Sequence, residues 1–174
     1  INSLLPSGEW FSGAPSVHPL LLRAQTLSIK SNHLFNPAIG RLVELWGFHN
    51  MRESNKKPPD PQAIRKLVLA NPRLTDIEFN GIRMRGKNPA IFIDLGAIAK
   101  GYAIERVVEM LRGQGIYNAI INTGGDLKTI GSKGSQPWKI AIRDPLKKSR
   151  VFASLLTQGN EAVFTSGNYE RFFN

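Results

Sequence analysis

The segment at residues 91–111 reads IFIDLGAIAKGYAIERVVEML, and it predicts a strand followed directly by a helix. Residues 91–93 are β-branched or aromatic and precede turn-forming residues, which is typical of a buried strand. Beyond Lys100 the apolar residues recur at helical spacing, which leaves the charged residues between them for solvent: Ala103, Ile104, Val107, Val108, Met110 and Leu111. Gly113 and Gly115 are expected to end this helix.

The junction between this strand and helix carries residues suited to an anion. The first N–H groups of a helix have no partner within the helix, so a phosphate fits at that place. Gly96 and Gly101 permit the close approach of a ligand. Lys100 adds a positive charge, and Asp94 can accept hydrogen bonds from a sugar or a heterocycle. The alternative is an ordinary strand, turn and helix in which Asp94 is a cap and Lys100 is solvated.

Length and composition bound the class of protein. With 174 residues, of which 41% are apolar, the chain predicts one domain over residues 1–174 with a buried core. No apolar run approaches the ~20 residues that a membrane-spanning helix needs. The chain has no cysteine, which excludes disulfides, a thiolate nucleophile and a cysteine-based zinc site. The histidines, His18, His33 and His49, are too dispersed to predict a metal triad.

The charge of the chain predicts an anionic partner. Lysine and arginine number 23 against 13 acidic residues, which gives a formal net charge of +10. The basic residues are scattered, without a recognition helix, an aromatic RNA-binding motif or zinc spacing. Nucleic acid is therefore not the expected partner, and a basic surface that favours a phosphorylated ligand is the preferred interpretation.

Local patterns predict an α+β fold. Helices are expected at residues 20–31 and from Asp60-Pro61 to a stop at Pro72. Residues 77–84 alternate around Asn-Gly, the strongest short-range signal for a β-hairpin. Because a hairpin is antiparallel, we expect a mixed, partly antiparallel sheet flanked by helices rather than a wholly parallel one.

The remaining segments extend this prediction. Further strands are expected at residues 119–122, 138–143, 151–156 and 162–164. Residues 51–61 predict a polar loop, and residues 1–19 lack periodicity and predict an irregular lead-in.

Two loops carry further candidate binding groups. Residues 123–126 read TGGD after a predicted strand, and they can form a concavity of N–H groups that accepts an anion. The equally supported alternative is a tight turn in which Asp126 bonds to its own backbone. Thr165 and Ser166 offer hydroxyls beside the flexible Gly167, in a pattern that does not match a nucleophile elbow.

The order of these motifs carries more information than any one of them. The chain contains FNPAIGRLVELWGF at residues 35–48, DLGAIAKGYA at residues 94–103, NTGGD at residues 122–126 and TSGNY at residues 165–169. In order and spacing this set resembles the FAD:protein FMN transferase (ApbE) family over almost the whole chain from Leu20 onward. The resemblance implies the T-fold-like α+β architecture of these flavin transferases.

The resemblance also implies an activity and a set of residues. The expected enzyme binds FAD, uses Mg2+ at the pyrophosphate, and moves FMN to a threonine or serine hydroxyl of an acceptor flavoprotein with release of AMP. Ala97 matches a position whose backbone carbonyl ligates the metal, and main-chain oxygen suits a hard cation. The positions that match family contacts to FAD are Leu34, Phe35, Asn36, Asp94 and Lys100.

The chain departs from the family pattern in two places. Asn36 stands where the family often has aspartate, so a hydrogen-bonding role is retained there without negative charge. The family's next segment, a His-x-x-Asp-Pro-x-Thr-Gly-like stretch, and its later aspartate and threonine metal ligands have no counterpart up to Asn174. Because one carbonyl and a distant Asp126 are poor ligation for octahedral Mg2+, we expect a fragment of a longer chain.

Other functions stay open on sequence grounds. One is a non-catalytic FAD-binding module, and another is an FAD pyrophosphatase in which water replaces the hydroxyl acceptor. A basic binder of nucleic acid or another polyanion is a further alternative, marked by steep salt dependence. The resemblance implies a periplasmic location, with a lipoprotein tether to the inner membrane outside this chain.

Overall fold

The computed structural model describes residues 1–48, 58–147 and 149–166. The chain divides into two units, the first comprising Ile1–Ile98 and the second Ala99–Phe172. The single domain predicted for residues 1–174 stays a prediction. Of the predicted polar loop, residues 51–57 lie outside the described residues, as do His49 and the end of the TSGNY motif from Gly167 onward.

The helices predicted for the first unit are confirmed. The described part of this unit contains α1 (His18–Lys30), α2 (Gly40–Leu45) and α3 (Pro61–Ala70), of which α2 was not predicted. The carboxylate of Asp60 accepts hydrogen bonds from the N–H groups of Gln62 and Ala63, so it caps the N-terminus of α3. Asn71 ends α3 in the left-handed conformation, with φ of 42°.

The predicted hairpin is also confirmed. The strands of the first unit are β1 (Phe11–Ser12), β2 (Ile77–Asn80) and β3 (Arg83–Gly86), hydrogen-bonded in the order β1-β3-β2. Both pairings are antiparallel, and Asn80 lies opposite Arg83 across the turn. Gly81 occupies this turn with φ of 58°, a conformation that glycine adopts without steric cost.

The core of the first unit corrects the prediction for the N-terminal segment. Residues 5–7 form a short 3-10 helix, Leu5–Ser7, and the side chain of Leu5 is fully buried. Residues 1–19 are therefore not merely an irregular lead-in, because they supply one of the core residues. The buried cluster comprises Leu5, Leu21, Ala24, Ala38, Leu74, Ile77, Met84 and Ile91.

The strand predicted at residues 91–93 is wrong. Ile91 is fully buried in the core, as its apolar character predicts. Phe92, however, makes only an isolated parallel bridge to Ile39 and does not extend into a ladder. A short apolar run satisfies core burial without sheet pairing, and periodicity cannot separate these two cases.

The second unit confirms the helix and strands predicted for it and adds one strand. Its described elements are α4 (Ala99–Gly113), β4 (Ala119–Thr123), β5 (Asp126–Ile130), β6 (Trp138–Arg143), β7 (Val151–Thr157) and β8 (Glu161–Val163). β5 was not predicted. It is the central strand of an antiparallel sheet in the order β4-β5-β8, and β6 pairs with β7 in a separate antiparallel ribbon.

Apolar packing fixes α4 against the sheet of the second unit. Ile104 and Val108, one turn apart on α4, are buried together with Ile130 of β5. Ala119 and Ile121 of β4 pack against the same cluster. These contacts set the register between α4 and β5 and therefore decide which polar side chains of the two elements meet.

The α+β class is confirmed by these helices and small antiparallel sheets. In the described residues, no helix combines the length and the apolar character needed to cross a membrane.

A charged cluster spans the outer face of the β2–β3 hairpin. Glu78 lies opposite Arg85 in the strand register, and its carboxylate is 2.7 Å from the Arg85 guanidinium and 2.5 Å from the Lys87 ammonium. The Arg85 guanidinium also stacks over the ring of Trp10 at 4.8 Å. The hydrogen bond from Lys87, and then that from Arg85, lower the pKa of the Glu78 carboxyl below its ordinary value.

We predict that Lys87→Met raises the pKa of Glu78 toward the ordinary glutamate value of about 4.3. A depressed pKa adds stability above the ordinary pKa, and this stability is lost as the pH falls through the folded-state pKa. NMR titration of the Glu78 side-chain carboxyl measures the shift, with Lys66→Met on α3 as the control. An unchanged Glu78 pKa in Lys87→Met would contradict the assignment.

Candidate functional site

Two of the motif segments lie side by side in the first unit. The N–H of Gly40 donates to the carbonyl of Phe92 at 2.7 Å, and the N–H of Phe92 donates to the carbonyl of Ala38 at 3.2 Å. The N–H of Asp94 donates to the carbonyl of Pro37 at 2.9 Å. These bonds tie the segment that follows Asn36 to the segment that ends at Asp94.

Gly40 is required where the two segments cross. A Cβ atom at this position would lie 2.6 Å from the carbonyl oxygen of Phe92 and 2.8 Å from a ring carbon of the same residue. The guanidinium of Arg41 also lies over the Phe92 ring, 5.3 Å from its centre. A side chain at residue 40 would therefore push the two segments apart.

The predicted residues at the start of the first segment differ in their environments. Asn36 uses both ends of its amide, since Nδ2 donates to the carbonyl of Pro72 at 2.8 Å and Oδ1 accepts from the N–H of Ala38 at 3.1 Å. Phe35 packs against the core, whereas the side chain of Leu34 is 91% exposed. Asn36 therefore holds the segment, and Leu34 presents its side chain outward.

Asp94 and Ala97 lie in the turn before α4. The Asp94 carboxylate accepts a hydrogen bond from the N–H of Gly96 at 2.8 Å, and the N–H of Ile98 donates to the carbonyl of Leu95 at 2.9 Å. Ala97 is exposed on this turn. The alternative in which Asp94 caps a local turn is thus observed, and its carboxylate organises the backbone around Ala97.

Lys100 lies in the second unit, in the first turn of α4. Its ammonium is 2.5 Å from the carboxylate of Asp126. The Lys100 side chain is 50% exposed, whereas that of Asp126 is only 16% exposed. Lys100 is therefore not simply solvated, as the alternative interpretation had it, because it is paired with a carboxylate at the start of β5.

The TGGD segment forms a two-residue turn between β4 and β5. Gly124 and Gly125 have φ of 63° and 101°, and the side chain of Asn122 accepts a hydrogen bond from the N–H of Gly125 at 3.0 Å. A Cβ atom at Gly125 would lie 3.3 Å from the hydroxyl of Thr165, so the NTGGD and TSGNY motifs meet here. The tight turn is confirmed, but the Asp126 carboxylate faces Lys100.

A second ion pair joins the same two elements. The ammonium of Lys128 on β5 pairs with the carboxylate of Glu105 on α4. The Lys128 side chain is 10% exposed and that of Glu105 is 55% exposed. Asp126 and Lys128 are alternate residues of β5, so both side chains lie on the face that α4 covers.

The sequence analysis named Asp126 as a turn residue and as a distant oxygen ligand for Mg2+, and it missed the pairing with Lys100. The signal that could have found this contact is the alternation of Asp126 with Lys128 after a Gly-Gly turn, which continues the hairpin as a strand. The charge of Asp126 is opposite to that of Lys100, and the charge of Lys128 is opposite to that of Glu105.

The described residues do not form a magnesium site by themselves. Across residues 1–48, 58–147 and 149–166, no group of three or more histidine, aspartate or glutamate side chains is placed to hold a metal ion. The carbonyl of Ala97 would be one oxygen ligand, and Mg2+ requires near-octahedral oxygen coordination. This donor set does not fit the ion without further ligands.

A small apolar cleft in the first unit is a poor candidate for the binding of a whole dinucleotide. Its volume is about 150 Å³, and its lining includes Ile39, Leu42, Leu67 and Val68. Pockets for ligands of drug size typically measure roughly 300–1,000 Å³. The cleft therefore does not account for FAD binding on its own.

The chain belongs to the ApbE family, since the profile of that family matches residues 1–174. It is 40% identical to the FAD:protein FMN transferase of Rhodobacter capsulatus, over 99% of this chain and 33% of the relative. It is 36% identical to the FAD:protein FMN transferase of Klebsiella pneumoniae (strain 342), over 90% of this chain and 48% of the relative.

Solved structures agree with this assignment. The crystal structure of the ApbE protein of Thermotoga maritima matches with a TM-score of 0.81 and 31% identity, over 98% of this chain and 55% of that one. The flavin transferase ApbE of Vibrio cholerae matches with a TM-score of 0.72 and 25% identity, over 95% of this chain and 53% of that one. The chain thus spans between about a third and about half the length of these relatives.

We predict that Gly40→Ala destabilises the protein by about 1–3 kcal/mol, because the added methyl group meets the carbonyl of Phe92. Urea unfolding measures this change. The control is Gly101→Ala in α4, where no atom outside the neighbouring residues and the helix's own backbone lies within 4 Å of the added Cβ. The same change is expected to stabilise by about 0.5–1 kcal/mol. Equal effects of the two substitutions would show that the contact with Phe92 is not tight.

We predict that Asn36→Asp destabilises this protein by about 1–3 kcal/mol, although the side chain keeps its size. A carboxylate cannot donate to the carbonyl of Pro72. Unfolding at neutral and at acidic pH measures the effect, since a protonated carboxyl regains a donor and recovers part of the loss. A variant as stable as the parent at neutral pH would contradict the contact.

Proposed function

We propose that the protein of which this chain is a part is an FAD:protein FMN transferase. The hydroxyl oxygen of a threonine or serine in an acceptor flavoprotein attacks the phosphorus of the FMN half of FAD. The new P–O bond forms as the P–O bond of the pyrophosphate breaks, AMP departs, and the hydroxyl proton is lost to a base. The acceptor then carries FMN through a phosphodiester bond.

One observation carries this proposal. The chain is 40% identical over 99% of its length to a protein named for this activity, and its family assignment covers residues 1–174. The folds of the matching ApbE structures support the same activity rather than a polyanion binder. The environments of Lys100 and Asp94 are consistent with the binding of a dinucleotide.

The residues of the second unit supply positive charge for a diphosphate. Phosphoryl transfer depends chiefly on positioning and on electrostatic stabilisation, and a lysine at a helix N-terminus provides both. In this proposal Lys100 binds the pyrophosphate of FAD. Asp126 is its neighbour at 2.5 Å.

Asp94 and Leu34 are proposed as further contacts for FAD, because both match positions that contact FAD in the family resemblance. Asp94 is organised by the N–H of Gly96 and accepts hydrogen bonds from the ligand, while Leu34 contributes an exposed apolar surface. Phe35 and Asn36 hold the segment in place through the core and through Pro72. Their contribution is to fix the shape of the site.

Magnesium belongs to the proposal as a requirement of the intact enzyme. A bound magnesium ion would supply positive charge to the pyrophosphate during transfer. The described residues offer the carbonyl of Ala97 and no cluster of three acidic or histidine side chains. We therefore assign no step of the reaction to a metal held by these residues.

The proposed partner is a flavoprotein that carries the target threonine or serine, and the proposed location is the periplasm. A lipoprotein tether to the inner membrane, outside this chain, is part of the same proposal. Fractionation of cells that express the intact protein tests the location, and recovery in the cytoplasm would overturn it.

We predict that the intact protein with FAD and Mg2+ labels an acceptor flavoprotein with FMN and releases an equal amount of AMP. Lys100→Met is expected to lower the rate by about tenfold or more, because it removes the charge at the pyrophosphate. Fluorescence of the labelled acceptor in a denaturing gel and chromatography of AMP measure the reaction. The matched control is Lys139→Met on β6, an exposed lysine of the same unit.

The products distinguish the alternatives. Free FMN with AMP and no labelled acceptor would identify a pyrophosphatase. Binding of FAD without AMP would identify a non-catalytic module. Loss of FAD binding upon addition of duplex DNA, with steep salt dependence, would favour the polyanion binder.

A further inference from the structure

The position of Lys100 is electrostatically unfavourable without a partner. The N-terminus of a helix carries partial positive charge, so a cation in the first turn is repelled by the helix dipole. No acidic residue occupies the first turn of α4. The carboxylate of Asp126, 2.5 Å from the Lys100 ammonium, supplies the missing negative charge from a different element.

Asp126 is held more firmly than a surface aspartate. Its side chain is only 16% exposed, and its backbone starts β5 directly after the Gly-Gly turn. Asn122 fixes that turn through the N–H of Gly125, and the hydroxyl of Thr123 donates to the carbonyl of Asp126 at 3.3 Å. The carboxylate is therefore a fixed point against which the flexible lysine side chain is placed.

The pair leaves Lys100 able to bind a second anion. A lysine ammonium has several N–H donors, and a single carboxylate oxygen at 2.5 Å engages only part of this capacity. Half of the Lys100 side chain is exposed, so a phosphate oxygen can approach it from solvent while Asp126 remains in contact from the protein side.

We propose that Asp126 is a positioning residue that holds the Lys100 ammonium in place for the diphosphate of FAD. This inference rests on the proposed function, because it takes FAD as the ligand of Lys100. Asp126 acts through Lys100 and does not contact the reacting atoms. Its carboxylate stays paired with the lysine when the diphosphate binds.

The proposal fixes the sign of a measurable effect. Judged by net charge alone, removal of a carboxylate beside an anionic diphosphate strengthens binding, because a repulsion is lost. If Asp126 positions Lys100, its removal weakens binding, because the ammonium is no longer held against the helix dipole. Opposite signs therefore separate a positioning residue from one that competes with the ligand.

The test is a double-mutant cycle in the intact protein, with FAD affinity measured by quenching of flavin fluorescence. Asp126→Asn is expected to raise the Kd for FAD by about tenfold, which equals about 1.4 kcal/mol. In the background of Lys100→Met, the same substitution is expected to change the Kd by less than about twofold, because Asp126 acts only through the lysine. Asp126→Glu, which keeps the carboxylate, is expected to recover most of the affinity.

The control is Glu105→Gln, which alters the other ion pair between the same helix and strand. Glu105 pairs with Lys128 and not with Lys100. If Asp126 only helped to dock α4 on β5, Glu105→Gln would weaken FAD binding to the same extent as Asp126→Asn. We expect the Kd of Glu105→Gln to stay within about twofold of the parent value. Thermal unfolding of each variant shows whether the fold is kept.

Each outcome decides the proposal. Tighter FAD binding by Asp126→Asn, or an equal effect of this substitution with and without Lys100, would overturn it. A parent protein that binds FAD but labels no acceptor would refute the transferase function. The double-mutant cycle, which measures only FAD binding, would still test the role of Asp126. A parent protein that does not bind FAD would refute both proposals.

Discussion

The close parallel contact between residues 37–40 and residues 92–94 is the constraint on which the first unit depends. Backbone hydrogen bonds link the two segments, and the contact exists only because residue 40 has no side chain to strike the carbonyl of Phe92. Asn36 and Asp94 are far apart in the chain, and the hydrogen bonds of this contact bring the segments that contain them side by side. Both residues were predicted to contact FAD.

Electrostatic pairing plays the corresponding role in the second unit. Two ion pairs join α4 to β5. Lys100 of α4 pairs with Asp126 of β5, and Glu105 of α4 pairs with Lys128 of β5. Apolar packing of Ile104 and Val108 on Ile130 sets the distance between these elements, so the charges meet as a result of core burial. Lys100, the lysine proposed to bind the diphosphate, thus belongs to the same interface that stabilises the unit.

Features encoded by neighbouring residues were predictable from the sequence. The Asn-Gly hairpin, the capped helix after Asp60 and the amphipathic helix α4 all follow from local signals. β5 was missed because its charged residues face α4, so its pattern is decided by a tertiary contact. The strand predicted at residues 91–93 was wrong for a related reason, since its apolar residues serve the core rather than a ladder. The same holds for the candidate site. Its motif predicted Lys100 as a binding residue, but the pairing of Lys100 with Asp126 depends on how α4 packs on β5 and was seen only in the structure.

The placement of the tryptophans makes each unit separately visible to spectroscopy. Trp10 stacks beneath the Arg85 guanidinium in the first unit, and the indole N–H of Trp138 donates to the carbonyl of Ile130 in the second. The remaining tryptophan, Trp46, belongs to the first unit. The emission of a variant that retains only Trp138 would report on the second unit, which contains Lys100. Compared with the emission of Trp10 in the first unit, it would show the order in which the two units unfold, without any attached dye.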